Sequence, residues 1–585
     1  MFLQGNKKIS VLERIFTYRL HLIIISSSLS LSPLPFIFPH YQIFSTHMEN
    51  LIKYLVFIYL IYLLFHLKLK SWPRNIHENR IPQNFIYLLL FFHTLYLTIV
   101  TWLGYHSLHL GTFDFTGIST VSSSYKTTGQ FLYSPFYTAA NGSGIFISHH
   151  FSPLLLIFSP FYMPFNTHLV YGFLLVLVYT VFLWILYQYT RDIFKNETGF
   201  WIFLALFFYP LLSYQAISFH FEMLVLPLAI LLFWGLHKNN KVMIGFSFIL
   251  LLLLKEDISF YLFFFGFYLV LNPEKRKIGI LISGVSLGWF ILTTRFLLPY
   301  LSGENESRFL SYWNLGSSMS EVIKNIISNP GLIISSITTK SQVFSRLFLA
   351  LALMPLFNPL FTLVVLTPVL MIHLLSNHPF FGTFTSYYTY TILPFLIYAT
   401  VSGFSNLEKI ILVFLSNINR LKIPKIISQK FGKTHDRYPL LVSEFANNSK
   451  TILAVILFLF SISAASNDKN LPYYFYNSAL PGKNLDIILE KIPQHKNVHG
   501  DSFLLSHLSL DKNGYFLSDN RFTYEYLIFQ SGRIPSQFDS IATSNYIHEF
   551  CKIYGKIVSV QGDFVLYFLD KKEAELLKTN LNSMK

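Results

Sequence analysis

Residues 241–271 read KVMIGFSFILLLLLKEDISFYLFFFGFYLVL. Two apolar runs, 242–254 and 258–271, enclose one ionic triplet, Lys255-Glu256-Asp257. Lys241 precedes the pair of runs and Lys275, Arg276 and Lys277 follow it. Basic residues collect on the cytoplasmic side of a membrane, so this pattern predicts a transmembrane hairpin with its ionic tip on the outer side. Thirteen residues at 1.5 Å per residue reach only about 20 Å, against a hydrocarbon core of about 30 Å. The tip is therefore expected to be recessed in a protein-lined, hydrated space rather than in lipid.

The rest of the chain follows the same rule. It has 585 residues, of which 53% are hydrophobic, 18% aromatic and 12% charged, with a mean hydropathy of +0.47. A soluble enzyme carries about 25% charged residues, so that class is excluded, as is a disordered chain. Further spans are expected near 85–103, 166–188, 199–217, 223–236, 278–300, 346–357, 359–375, 388–404 and 451–465. Two earlier apolar runs, 22–38 and 51–67, lie in a segment whose role stays open: a signal-like stretch, an extra span, or an extension ahead of Met48. The expected fold is mainly α: a polytopic helical bundle of about 11–13 spans with a small C-terminal α/β domain. The boundaries fall at 1–82, 83–465 and 466–585.

If 85–103 runs outward, loops on the inner side hold 19 Lys or Arg and outer loops hold five. That bias places the C-terminal domain outside the cytoplasm. The domain has 13 acidic and 13 basic residues, so the net charge of +15 belongs to the membrane part. Basic loops beside lipid account for it better than nucleic acid does. In the tail, 484–491 reads as a short helix, and 557–560 and 564–569 flank Gln561-Gly562-Asp563, a hairpin signal. A single cysteine, Cys551, excludes a disulfide framework and a Cys-based metal cluster. In the outer loop near 301–345, residues 318–327 read as a surface helix with Ser320 as its cap.

The ionisable residues at membrane depth are the functional candidates, each with a plainer alternative. His220-Phe221-Glu222 precedes a span of about fifteen residues, by the same length argument as the Lys255 tip. Three carboxylates and a histidine then face one outward-opening cavity. Alternatively, Lys255 with Glu256 or Asp257 is a self-neutralising pair at a turn, and His220 and Glu222 cap helix ends. His149 and His150 read as interfacial residues or a weak metal pair, Tyr387 and Tyr388 as an aromatic belt, and Asp114 as a turn residue.

Gly111-Thr112-Phe113-Asp114-Phe115, Ser148-His149-His150-Phe151-Ser152-Pro153, Phe219-His220-Phe221-Glu222, Lys255-Glu256-Asp257 and Tyr387-Tyr388 ahead of Leu393-Pro394-Phe395 form an ordered set. In order and spacing the set resembles the bacterial and archaeal predicted membrane proteins of domain-of-unknown-function family 2079. The resemblance covers about 83–405 and extends into the tail through Leu504-Leu505-Ser506-His507-Leu508-Ser509. That family is similar to the GT-C polytopic membrane glycosyltransferases, including the protein mannosyltransferase and aminoarabinose transferase types. The resemblance implies a multi-pass enzyme of the bacterial inner membrane that takes a polyprenyl-phosphate sugar. In such enzymes an acidic residue in the first outer loop sits at the catalytic centre, and Asp114 holds that position. Here the loop shows Asp-Phe where the best-studied members have paired acids.

Transfer from a lipid phosphate needs a base for the acceptor hydroxyl and positive charge for the leaving phosphate. Asp114 is the candidate base, and Lys255, Arg295 and Arg308 are candidates to neutralise the phosphate. His149, His150, His220, Glu222, Glu256 and Asp257 are candidates to bind sugar hydroxyls, and Tyr387 and Tyr388 to stack on a sugar face. A divalent cation held by Asp114 with Glu256 or Asp257 is a further option. By analogy with the family, transfer is expected to proceed by single displacement with inversion. The competing readings are a lipid or small-molecule transporter or flippase and a non-catalytic envelope protein.

Overall fold

The computed structural model describes residues 83–584, apart from 303–314, 377–386, 421–449, 465–480, 532–540 and shorter stretches. Both N-terminal apolar runs and Arg308 lie outside the described residues.

The membrane part is built from α1 (Gln83–His106), α2 (Phe113–Thr128), α3 (Leu169–Phe194), α4 (Val225–Lys238), α5 (Lys241–Leu252), α6 (Glu256–Val270), α7 (Arg276–Leu292), α8 (Met319–Ser328) and α9 (Leu393–Arg420). A π-helical turn carries α7 on to Ser302. Among the described residues five helices are long and apolar enough to cross a bilayer: Ile86–His106, Leu169–Phe194, Phe221–Lys238, Arg276–Ser302 and Leu393–Val413. Pro153–Tyr162, Thr198–Phe207, Lys241–Leu252 and Pro359–Leu375 are shorter apolar helices. The chain is thus a membrane protein whose bundle mixes full spans with short ones.

Lipid exposure is legible on α1. Ile86, Leu89, Leu90, Leu97 and Val100 are buried, while Tyr87, Leu88, Phe91, Phe92, Leu95, Ile99 and Trp102 stand exposed on the other face. A helix apolar on its inner and outer faces suits lipid and would be a liability in water. Helices α6 and α7 meet along small residues. A Cβ on Gly266 would lie 2.5 Å from the Ser283 backbone N, and one on Gly279 would lie 2.5 Å from that of Val270. Close backbone approach at small residues is how helices gain dispersion contacts where lipid removes the hydrophobic drive.

Two expectations are corrected. Residues 346–357 do not form a span. They are short 3-10 turns interrupted by Ala352 and Leu353, with φ of 49° and 59°. Two successive left-handed residues followed by Pro355 cannot continue a helix. The surface helix α8 is capped by Ser318, whose hydroxyl accepts the Glu321 N–H at 3.3 Å, and not by Ser320.

The C-terminal part adds α10 (Gly482–Leu489), α11 (Ile541–Tyr554) and α12 (Lys571–Met584) to five strands: β1 (Asn497–His499), β2 (Asn513–Tyr515), β3 (Tyr526–Gln530), β4 (Lys556–Gln561) and β5 (Phe564–Phe568). The sheet order is β2-β1-β3-β5-β4. β1 is parallel to β2 and β3, and β5 is antiparallel to β3 and β4. The expected hairpin is present, with Gly562 at φ 59° in its turn. Alternation along the strands makes two cores. Leu527, Phe529 and Tyr567 pack with Ile547, Phe550 and Leu577 of α11 and α12. Val498, Ile528 and Leu566 pack with Leu485 and Ile488 of α10, and with Leu108 and Phe136 of the membrane part. The tail domain is thereby docked at the end of α1.

Candidate functional site

The α5–α6 tip is enclosed by protein. Helix α5 has 12 residues, and its last carbonyls are held from the side: Trp289 Nε1 donates to Leu252 O at 2.9 Å and Leu154 N to Leu253 O at 3.1 Å. Lys255 and Glu256 are 5% and 3% exposed.

The three ionic side chains of the tip diverge. Lys255 Nζ donates to Glu222 Oε1 at 2.5 Å and pairs with Asp257 Oδ2 at 3.3 Å. Glu256 turns the other way: Oε1 lies 3.0 Å from His150 Nδ1, and Oε2 accepts the Phe151 N–H at 2.9 Å. The tip is thus more than a self-neutralising turn, since it ties two distant loops together. Both oxygens of Glu256 are engaged in holding the 150–151 segment, so this residue is a latch.

Glu222 is delivered by a strained turn. Phe219 adopts φ 49°, a conformation that costs a bulky residue about 1–3 kcal/mol. The turn starts the 3-10 segment Phe221–Leu224 ahead of α4. His220 Nδ1 accepts the Glu222 N–H at 3.4 Å, so this nitrogen is deprotonated and its 3.9 Å approach to Glu222 Oε1 is not an ion pair. His220 does cap, as its plainer reading held, but Glu222 does not. Glu222 Oε2 is buried and has no hydrogen-bond partner among the described residues. Two carboxylates therefore share one ammonium, and two buried carboxylate oxygens, Glu222 Oε2 and Asp257 Oδ1, are left over among the described residues. A buried acceptor of this kind costs about 1–3 kcal/mol or more until something donates to it.

Asp114 lies in the first turn of α2, and this helical setting replaces the turn-residue reading. Its neighbour Phe115 makes edge contacts with Tyr171, ring centroids 5.6 Å apart, and with Phe219 at 6.1 Å. The aromatic packing thus joins the Asp114 turn to the Glu222 turn. Asp114 keeps some accessible surface but is surrounded by protein, and burial pushes its carboxyl up to about 6. Lys255 is close enough to oppose that rise, which puts Asp114 within electrostatic range of the tip. Tyr137 and Tyr171 feel the Asp114 charge, and the buried Tyr171 hydroxyl has no hydrogen-bond partner among the described residues. His149 joins the cluster through its ring, 4.5 Å from His150 and 5.6 Å from Tyr137.

The structure therefore gathers Asp114, His149, His150, His220, Glu222, Lys255, Glu256 and Asp257 in one region. Arg295 is exposed on the π turn beyond Trp289, near the same end of the bundle. Tyr387 and Tyr388 open a 3-10 turn, Tyr387–Thr391. From the same turn Tyr390 reaches the segment ahead of Glu222, its hydroxyl donating to Gln215 O at 2.5 Å and lying 2.7 Å from Ser218 Oγ. Sequence reasoning missed Tyr390, although it sits one 3-10 turn after Tyr387. It also missed His373, an ionisable group in the apolar helix Pro359–Leu375, 3.4 Å from the Tyr261 hydroxyl. An intramembrane histidine is itself a signal for function. Among the described residues, Asp114 does not converge with Glu256 and Asp257 as a set of metal ligands.

The family described as Predicted membrane protein (DUF2079) matches residues 104–552. No curated protein matches the chain. Among solved structures, ArnT from Cupriavidus metallidurans bound to undecaprenyl phosphate is 11% identical, covering 83% of this chain and 99% of its own, with a TM-score of 0.44. The same enzyme in the apo state is 12% identical, covering 83% and 98%, with a TM-score of 0.41.

Proposed function

The chain belongs to the DUF2079 family of predicted membrane proteins, and from that footing we propose that it is an integral-membrane glycosyltransferase using a polyprenyl-phosphate-linked sugar on the extracytoplasmic face. The observation that carries this reading is the placement of Asp114. It is a carboxylate at the start of α2, its pKa raised by burial, in electrostatic range of a buried ion cluster with an unfilled acceptor. A base working near pH 7 should have its pKa near that value, and about 6 is far better placed than an ordinary 3.9.

In the proposed mechanism the acceptor hydroxyl gives its proton to Asp114 as it attacks the anomeric carbon. The bond to the lipid phosphate breaks on the opposite side, and the sugar inverts. Glu222 Oε2 takes a sugar hydroxyl as donor. Lys255 is neutralised by Glu222 and Asp257, so its part is to hold these carboxylates and the Asp114 charge in place. The leaving phosphate is assigned to Arg295, whose exposed guanidinium is suited to a phosphate group. The C-terminal domain then covers the outer end of the bundle.

The test uses the full chain in proteoliposomes with a radiolabelled polyprenyl-phosphate sugar and a mixture of lipid and glycan acceptors. Wild type is expected to consume the donor. Asp114→Asn is expected to slow consumption about 100-fold or more while the protein stays folded. Donor moved across the bilayer without being consumed, or turnover unchanged by Asp114→Asn, overturns the reading.

A further inference from the structure

Outside this site lies a second cluster, which includes His507 from the tail motif Leu504–Ser509. Three elements meet there. Helix α1 ends in Tyr105 and His106, α10 brings Asp486, and the turn after Ser502–Leu505 brings His507. The fit is close enough to need glycine at the head of α10. A Cβ on Gly482 would lie 2.6 Å from His507 Cε1 and 2.8 Å from His106 O.

The hydrogen bonds fix the His507 ring. Its Nε2 lies 2.9 Å from Tyr105 O, and a carbonyl can only accept, so Nε2 carries a proton. The Tyr105 ring stacks on it with centroids 4.0 Å apart. In the neutral ring Nδ1 is then a bare lone pair, yet it sits 2.6 Å from Asp486 Oδ1. Two acceptors at that distance require a cation between or beside them. A proton would satisfy this pair but would leave the third member unanswered. His106 Nδ1 is buried, has no hydrogen-bond partner among the described residues, and lies 3.8 Å from Asp486 Oδ2. One ligand atom from each of the three residues falls within 4.8 Å of the others.

We propose that His106 Nδ1, His507 Nδ1 and the Asp486 carboxylate form a binding site for a zinc-like divalent cation that fastens the C-terminal domain to the end of α1. Two imidazoles and one carboxylate are a borderline-soft set suited to Zn²⁺, with water completing the tetrahedron beside the part-exposed Asp486. The Tyr105 carbonyl holding the far nitrogen of His507 is the outer-shell contact that orients a ligating histidine. Ligand atoms about 2.0–2.1 Å from zinc stand about 3.3 Å apart, so the carboxylate backs off by less than about 1 Å. Lys483 stays out of the ligand set, its ammonium 6.0 Å from the centre of the Trp102 ring.

The test is a Zn²⁺ titration of the full chain in detergent after treatment with a chelator, read by calorimetry and by metal content. Wild type is expected to take up one equivalent at micromolar affinity or better. Asp486→Asn and His106→Gln are expected to weaken uptake at least tenfold while circular dichroism stays unchanged. Bound Co²⁺ is expected to show the strong visible absorption of a tetrahedral site. His507 is also packed against Tyr105, so the two variants at the polar edge carry the decision. No saturable equivalent, or one unaffected by either variant and therefore held by others of the 20 histidines, overturns the proposal.

Discussion

Replacing Lys255 by Met removes one charge and keeps an apolar stem of similar length. In the structure that charge is buried and answers two carboxylates, Glu222 at 2.5 Å and Asp257 at 3.3 Å. Unit charges about 3 Å apart attract by about 5 kcal/mol at an effective dielectric constant of about 20. Desolvation offsets much of this in the intact pair, but deleting one partner leaves the other charge buried and alone, which costs about 3–5 kcal/mol. Asp257 is about one-third exposed and can turn to solvent, whereas Glu222 cannot. The loss should therefore track Glu222. Unfolding entropy grows with chain length, so at roughly 1 °C per kcal/mol for a chain of this size Lys255→Met is expected to lower the melting midpoint by about 3–5 °C. The assay is thermal unfolding in detergent followed by circular dichroism. The decisive partner is Lys255→Met with Glu222→Gln, which removes both charges and is expected to recover most of the loss. A single variant within about 2 °C of wild type, or a double variant no better than the single, would refute the claim that Lys255 is the counter-charge of Glu222.

Three further outcomes follow from the same geometry. The proposed base must be ionised to work, and burial raises the Asp114 carboxyl to about 6. Transfer is therefore expected to be full above that value and to fall tenfold per pH unit below it, and a pH–rate profile flat down to pH 4.5 would exclude Asp114 as the base. Glu256→Ala removes the carboxylate partner of both His150 Nδ1 and the Phe151 N–H. It is expected to raise proteolytic nicking near 144–151 and to lower donor affinity more than turnover, read from initial rates against donor concentration. A Cβ on Gly403 would lie 1.9 Å from Met354 O, so Gly403→Ala is expected to prevent α9 from seating against the 354–357 turn and to cut the yield of folded protein several-fold.

The hairpin and its protein-enclosed tip were legible from length, thirteen apolar residues against about 30 Å of hydrocarbon. The tail hairpin was legible from Gln561-Gly562-Asp563 between apolar runs. Hydropathy could not reveal that residues 346–357 turn rather than span, because Ala352 and Leu353 are apolar and only their φ angles break the helix. The site was legible as a set of residue types but not as a network. Lys255, Glu256 and Asp257 are adjacent in sequence, and only side-chain direction separates the pair that meets Glu222 from the residue that latches His150. Tyr390 was hidden by its neighbours, since the adjacent pair Tyr387-Tyr388 draws attention while the single Tyr390 binds Gln215 O.

The docking of the tail reaches further than its own interface. Tyr105 donates its hydroxyl to Ser506 O at 2.9 Å, Ser506 Oγ donates to Leu110 O at 3.0 Å, and Leu108 is threaded into the tail's core at φ 61°. These anchors fall on the last turn of α1 and the short connection from it to α2, the same backbone that leads to Asp114. The tail domain thus acts as a splint on the segment that aims the carboxylate. Lifting it would free the loop from one side, so the position of Asp114 and the seating of a domain that starts more than 350 residues later in the sequence are one mechanical variable.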